Sequence, residues 1–208
     1  MATKPVHPVV ANLGRNLFIY NNIQTKQVVY SLTRSLKNNK MLKQITFVGK
    51  KSVPAALRKD VWTPLLSVSF PFPAVGLKTF KKLREFKKLH ETAYPRELVA
   101  GKTKKEKKKI LMDQKANSIA DLAASLEWEI AKANREHDEM AGKKDQPPRI
   151  GRDEVVVRWQ DIYDAQYARD WPELVVHEVA ERARHTAPKA VEEKGVQEGK
   201  REVEVLAA

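Results

Sequence analysis

The distribution of charge along this 208-residue chain is the feature that most constrains it. Asp60 is the first carboxylate, and eleven lysine and arginine residues precede it. Up to Lys115 the chain holds 25 basic and 6 acidic residues, whereas residues 116–208 hold 14 basic and 20 acidic ones. Like charges at this density repel one another unless a polyanion neutralises them. The front half is therefore expected to lie against nucleic-acid phosphate. The alternative, a solubilising surface, ordinarily mixes both signs.

Composition excludes several classes of protein. Cysteine is absent, which removes disulfides, Cys-ligated zinc and cysteine nucleophiles. The five histidines are scattered, so neither a metal site nor a cofactor is predicted. No apolar run approaches the roughly 18 residues that span a bilayer. The opening residues lack acids, as a mitochondrial presequence does, although Pro5 and Pro8 oppose a helix there.

The first 73 residues mix strand and helix patterns, which is typical of an α+β unit. Two β-rich runs flank the polar stretch NNIQTK, whose asparagines tolerate turn conformations, so a hairpin is predicted. Further strands and helices are predicted from the alternation of apolar and polar residues, from the positions of prolines and from basic helix-forming runs. The predicted elements are strands at 17–20, 27–31, 45–49 and 65–70, a basic helix at 32–43, and a helical turn at 54–62 that has Pro54 near its start.

The pattern becomes helical after residue 73, with an apolar stripe on one side and lysines on the other. Ser118 with Asp121 resembles a capping box and begins the clearest amphipathic helix. A strand, a short helix and a last helix opened by Asp170 and Pro172 are then expected. The predicted elements are a helix at 74–94, a cationic loop or helix start at 101–109, a strand at 154–159, a short helix at 161–168 and a helix from 170 to about 184.

The predicted fold class is α+β, with a small mixed sheet and packed helices at the N-terminus, a helical C-terminal half and a flexible tail. Low burial in the last segment favours disorder or ordering by a partner. The predicted units are an N-terminal extension (1–14), a basic α+β nucleic-acid-binding domain (15–95), a lysine-rich connector (96–116), an amphipathic helix (117–141), a linker (142–152), a strand plus helices (153–185) and a flexible tail (186–208).

Lysine dominates the basic stretches, and as a flexible point charge it suits neutralisation of a phosphate backbone more than base reading. For the run at 104–109, a solvated charge cluster or a localisation signal is the alternative. The candidate nucleic-acid contacts are Lys50, Lys51, Arg58, Lys59, Lys78, Lys81, Lys82, Lys88, Lys102, Lys104, Lys105, Lys107, Lys108 and Lys109.

Two tryptophans have alternative interpretations. Trp62 follows Arg58 and Lys59 and is a candidate for stacking on a base, but a tryptophan between strands is more often a core residue. Trp128 lies opposite the apolar stripe of its helix. Either it contacts a partner protein or it packs under a loop of the same chain.

Nothing in the sequence predicts an enzyme or a catalytic residue. Gly101, Lys102 and Thr103 match the end of a P-loop, but Arg96 occupies the position of the first glycine. A metal-dependent nuclease requires several converging carboxylates, and Asp60 is isolated in the basic half. No GxSxG motif is present.

Three segments together resemble a known family. They read NLFIYNNIQTKQVVYSL (16–32), LRKDVWTPLLSVSFP (57–71) and VRWQDIYDAQYARDWPELVVHE (157–178). They are similar to the fungal mitochondrial large-subunit ribosomal protein family that is also described as a mitochondrial homologous-recombination and transcription-regulation protein.

The resemblance implies a protein of the mitochondrial matrix that binds large-subunit ribosomal RNA beside neighbouring mitochondrial ribosomal proteins. It also implies a second role, the pairing of homologous mitochondrial DNA without ATP. The leading hypothesis is therefore a structural ribosomal protein, and the alternative is a DNA-pairing protein. The same lysines serve both, so composition does not separate them.

Overall fold

The computed structural model describes residues 12–46, 53–142 and 146–181. It confirms the α+β class, with one five-stranded mixed sheet and helices packed on it. The sheet has the order β2-β1-β3-β4-β5, and only the β4–β5 pair is parallel. The strands are β1 (Asn16–Asn22), β2 (Val28–Ser31), β3 (Trp62–Ser69), β4 (Val155–Trp159) and β5 (Val175–Val179), and the α-helices are α1 (Asn38–Met41), α2 (Pro73–Thr92), α3 (Lys104–Met112) and α4 (Lys115–Glu139).

The predicted hairpin is confirmed as β1 and β2. Asn22 shapes its turn, because the Asn22 Oδ1 accepts hydrogen bonds from the backbone N–H groups of Gln24 (2.9 Å) and Thr25 (3.0 Å). Lys26 completes the turn at a φ of 57°. The predicted strands at 65–70 and 154–159 and the helix at 74–94 also form, as β3, β4 and α2 with slightly different ends.

The main core lies between the sheet and the α2–α4 pair, and a smaller cluster lies on the opposite face of β1 to β3. On the main side, Leu17, Val68 and Val157 occupy matched positions on three adjacent strands. They meet the apolar stripe of α4, including Leu122 and Leu126, both fully buried. The smaller cluster contains Tyr20, Val29, Met41, Ile45, Leu57, Val61 and Trp62.

The helix predicted at 32–43 is wrong over most of its length. Only Asn38–Met41 is α-helical, and Leu42–Gln44 continues as a 3-10 turn. The Ser31 hydroxyl donates to Thr33 O (2.7 Å) and accepts from the Thr33 N–H, and the Thr33 hydroxyl donates to Ser35 O. Such local side-chain bonds compete with helix formation.

The strand predicted at 45–49 does not form at Ile45 and Thr46, and its remaining residues lie outside the described ones. Thr46 is held instead by Gln114, whose Nε2 donates to the Thr46 hydroxyl at 3.0 Å. The helical turn predicted from Pro54 begins only at the 3-10 segment Lys59–Val61. Before this segment the chain is irregular, and the Leu57 side chain is buried in the smaller cluster.

The helix predicted from Asp170 to about residue 184 is wrong over the described residues, which form β5 instead. Asp170 and Pro172 carry the local signal of a helix start, but Val175, Val176 and Val179 favour a strand. The open side of β4 provides a partner, and five residues pair in parallel with it. The short helix predicted at 161–168 is a 3-10 segment, Ile162–Tyr167.

The capping box predicted at Ser118 and Asp121 is also wrong, because α4 begins three residues earlier, at Lys115. Ser118 is buried within the helix, and its hydroxyl accepts from the Tyr30 hydroxyl at 3.0 Å. The Asp121 carboxylate lies 2.9 Å from His90 Nε2 on α2. Burial raises the pKa of Asp121, and His90 opposes that shift.

The predicted linker is partly docked on the helical layer. Ile150 is fully buried, and its N–H donates to Asn134 Oδ1 at 2.9 Å. The chain then enters β4, which lies between β3 and the edge strand β5. Strands from both ends of the chain therefore share one core. None of the helices in the described ranges is long and apolar enough to cross a membrane.

Candidate nucleic-acid interface

The run at 101–109, predicted as a cationic loop or helix start, enters the helix α3 at Lys104, while residues 101–103 are not helical. Thr103 is its N-cap: the Thr103 hydroxyl accepts from the Glu106 N–H, and the Glu106 carboxylate accepts from the Thr103 N–H at 2.8 Å. This reciprocal capping box satisfies two of the free donors at the helix start. The Thr103 N–H and the Thr103 hydroxyl both donate to the Glu106 carboxylate, and these two bonds lower its pKa.

The helix α3 forms one wall of a groove of about 740 Å³. The opposite walls are the hairpin turn and the 3-10 segment before β3. The floor is apolar, since Ile45, Val61, Trp62 and Met112 line it and each of these residues is largely buried. The polar and charged lining residues are Asn22, Gln24, Thr25, Lys26, Gln27, Arg58, Thr103, Lys105, Glu106, Lys108, Lys109 and Asp113.

This groove brings together sequence-predicted residues that are about 45 positions apart. Arg58 and Trp62 line it from one side, and Lys105, Lys108 and Lys109 line it from the other. Trp62 is 6% exposed and belongs to the smaller core cluster. An apolar floor below a cationic rim suits a nucleotide, which combines an apolar base with a phosphate.

Two of the basic side chains that line the groove already form ion pairs with carboxylates of the same chain. Arg58 lies against Asp60, with 2.6 Å between the Nη2 and Oδ2 atoms, and this contact lowers the pKa of Asp60. Lys26 lies 3.4 Å from Asp113. In contrast, within the described ranges no carboxylate oxygen lies within 4.0 Å of a lysine ammonium group on α3. The α3 lysines therefore carry the most available charge in the groove.

The lysines of α2 have a different environment, because α4 runs beside them and carries acids. Lys78 lies 3.7 Å from Glu136, and Lys82 lies 3.9 Å from Glu129. The Lys82 ammonium is also 4.0 Å from the centre of the Trp128 ring, which is 61% exposed. Trp128 is thus on the surface and not under a loop of the described chain.

A second pocket, of about 550 Å³, lies on the other side of α2. Lys87 at its base is buried, and its ammonium donates to Val28 O (2.6 Å) and Gln44 O (2.5 Å). Burial lowers the pKa of Lys87 to about 8, and Glu91 opposes that shift. The other lining residues are Lys43, Gln44, Lys81, Arg84, Glu85, Lys88 and Glu91.

The structure separates the remaining predicted residues. Lys81 and Lys88 line the second pocket, whereas Lys59, Lys102, Lys104 and Lys107 line neither. Lys50 and Lys51 lie outside the described residues.

The sequence-based prediction missed Lys26, Lys43, Arg84 and the buried Lys87 as lining residues. Of these residues, only Lys87 could have been identified from the sequence as facing inward, because it lies four residues after Leu83 on the apolar side of α2.

Comparisons with known proteins identify the family to which this chain is related. The family described as "Transcriptional regulation of mitochondrial recombination" matches residues 14–97, which span β1 to β3, α2 and the turn after it. The large ribosomal subunit protein mL67 of Neurospora crassa is 31% identical over 192 residues, which cover 80% of this chain and 66% of the relative. The same protein of Schizosaccharomyces pombe is 30% identical over 170 residues, covering 78% and 85%.

The chain belongs to this family, that of the large ribosomal subunit protein mL67. The resemblance identified from the three sequence segments is therefore confirmed. The chain spans slightly less than two thirds of the length of the Neurospora crassa relative.

Proposed function

We propose that this chain is a structural, non-enzymatic component of the mitochondrial large ribosomal subunit, located in the mitochondrial matrix. The observation that carries the proposal is the relationship to the Schizosaccharomyces pombe protein, whose name assigns it to the large ribosomal subunit and 85% of whose length is matched. The partners are then large-subunit ribosomal RNA and neighbouring mitochondrial ribosomal proteins.

The groove beside α3 is the proposed RNA contact. Lys105, Lys108 and Lys109 supply charge that no described carboxylate neutralises within 4.0 Å. Each lysine that neutralises a phosphate of single-stranded nucleic acid adds about 0.7 to the salt slope of binding. The apolar floor that includes Trp62 accommodates part of an unpaired base, while the phosphates stay at the rim.

Sedimentation with isolated mitochondrial large subunits tests this proposal. The unaltered chain is expected to co-migrate with the subunit at high salt. The triple variant Lys105→Gln, Lys108→Gln, Lys109→Gln is expected to dissociate at lower salt. The matched control is Lys102→Gln, Lys104→Gln, Lys107→Gln, which removes the same charge from α3 and its N-terminal flank outside the groove lining. Equal losses from both triples would favour an unspecific charge cluster over a groove contact.

A DNA-pairing role in mitochondrial recombination or transcription regulation is the second candidate. The family match over residues 14–97 favours it, because the description of that family concerns mitochondrial recombination. A pool of chain that sediments apart from large subunits and remains bound to mitochondrial DNA would support this role. Complete co-migration with the large subunit would oppose it.

A further inference from the structure

The two edge strands of the sheet, β2 and β5, differ in whether side chains bond their outward backbone groups. On β2, side chains do so. Gln114 Oε1 accepts from the Val28 N–H (3.2 Å), and the Lys87 ammonium donates to Val28 O. Gln44 continues the ladder, since its Oε1 accepts from the Tyr30 N–H (2.9 Å) and its Nε2 donates to Tyr30 O (2.8 Å). Side chains thus occupy the positions that an added strand would use.

The other edge, β5, has no such cover among the described residues. The Ala180 N–H donates to Trp159 O at 2.6 Å, so Ala180 faces β4. Because successive residues of a strand point their backbone groups to opposite sides, His177 and Val179 direct theirs outward. Within residues 12–46, 53–142 and 146–181, no hydrogen bond reaches the N–H or C=O of either residue. The Val179 side chain is 60% exposed.

The charge around β5 indicates what occupies this edge. Residues 170–181 contain four carboxylates, Asp170, Glu173, Glu178 and Glu181, and no lysine or arginine, whereas Arg169 precedes this stretch in the sequence and Arg182 and Arg184 follow it. Arg158 pairs with Glu178 at 2.9 Å, and within the described ranges the other three make no ion pair. Such a segment repels phosphate and attracts cationic side chains. Protein with basic side chains is therefore favoured over RNA.

We propose that the β5 edge accepts an extended, lysine- or arginine-bearing segment of a neighbouring protein as a sixth strand. Main-chain hydrogen bonds to His177 and Val179 would hold the segment, and the three carboxylates without a described ion-pair partner, Asp170, Glu173 and Glu181, would select its charge. That the neighbour is a ribosomal protein rests on the proposed function. The strand addition itself does not.

Amide hydrogen exchange of the full chain tests the edge with a defined probe, a short peptide of alternating valine and lysine. In the free chain, the His177 and Val179 amides should exchange faster than those of Val28 and Tyr30. The peptide should slow exchange at His177 and Val179 roughly fivefold or more, as one new hydrogen bond each implies. A valine–glutamate peptide of the same length should have no effect.

Proline substitution separates strand addition from general adhesion. Val179→Pro removes an outward N–H that no described group uses, and edge strands tolerate proline. It should keep the melting temperature and abolish protection by the valine–lysine peptide, while Val179→Thr behaves as wild type. Equal protection in Val179→Pro would overturn the proposal.

Protection in the free chain would also overturn it. Protection that rises with concentration would mean that a second copy covers the edge, and concentration-independent protection would mean that the chain's own residues 182–208 do.

The same variants separate this inference from the proposed function. In isolated large subunits, wild-type chain should show protected His177 and Val179 amides. A chain that never sediments with the subunit defeats the ribosomal proposal but leaves the peptide result intact. A chain that sediments with an unprotected β5 edge, or with RNA cross-linked to it, defeats the strand addition alone.

Discussion

The helices α2 and α3 are both rich in lysine, but their lysines lie in different electrostatic environments. On α2, Lys78 and Lys82 contact carboxylates of α4, and Lys87 is buried against backbone carbonyls. On α3 the one acidic residue, Glu106, is used to cap the helix. The two helices show that the number of lysines in a segment does not give the charge available to a ligand, because neighbouring elements decide it.

The largest effect expected from this comparison is on stability, at Lys87. Lys87→Met should lower the free energy of unfolding by about 3 kcal/mol, because Val28 O and Gln44 O lose their shared donor in a buried site. Chemical denaturation measures the loss. Lys81→Met on the exposed side of the same helix is the control and should change stability little. An equal loss in both variants would contradict an inward-facing role for Lys87.

The pH dependence of stability sharpens the same point. Burial lowers the pKa of Lys87 from 10.5 to about 8, so the unfolded chain binds this proton more tightly than the folded chain. Between about pH 8 and 10.5 the free energy of unfolding should therefore rise with pH. In Lys87→Met this rise of the free energy of unfolding with pH should be absent. Identical pH slopes for the two proteins over this range would show that the ammonium is not desolvated.

Next in size is the difference in salt dependence between the two helices. Lys105→Gln with Lys109→Gln should reduce the salt slope of binding to a single-stranded RNA by about 1.4, at about 0.7 for each phosphate contact. Lys78→Gln with Lys82→Gln should reduce it less, since these ammonium groups already contact carboxylates. Fluorescence titration at several salt concentrations gives both slopes. A larger change from the α2 pair would reverse the comparison.

Removal of the α3 cap should have a smaller effect. Thr103→Ala should cost about 1 kcal/mol of helix stability, because the Glu106 N–H loses its acceptor and the capping box is broken. Thr103→Ser is the matched control, since it keeps the hydroxyl. Amide exchange over residues 104–112 reports the fraying. Unchanged exchange in Thr103→Ala would mean that packing at the groove, rather than the cap, holds α3 in place.

The smallest effect is expected at the surface contact between α2 and α4. Trp128→Ala should cost about 0.5 kcal/mol, because an ammonium over a largely exposed aromatic ring contributes little. Thermal unfolding measures it, and Trp128→Phe should retain part of the interaction. A loss of several kcal/mol would indicate that Trp128 does more than contact Lys82.

The elements that sequence predicted well are those whose local pattern and tertiary contacts agree. The β1–β2 hairpin has a turn set by Asn22, and α2 has both an apolar stripe and a proline at its start. Prediction failed where contacts distant in sequence decided the outcome. Pairing with β4 made residues 175–179 a strand despite the helix-start signal at Asp170. Burial of Ser118 against Tyr30 placed the apparent capping residue inside α4.

The candidate site was predictable only in part, for the same reason. Charge density identified the α3 lysines, and local composition identified Arg58 and Trp62. Nothing in the sequence indicated that these two regions line one groove, because their association depends on the fold of the intervening residues. The pairing of Lys78 and Lys82 with α4 depends on helix packing and was equally hidden.

The central position of β3 limits how the chain can be divided. The matched region at 14–97 contains β1 to β3 and α2, but β4 and α4 cover the free side of β3 and the apolar face of the sheet. A fragment that ends at residue 97 would expose Leu66 and Val68 together with an unpaired strand edge. Such a fragment is expected to self-associate. Activities measured on it would then describe an aggregate rather than an autonomous module.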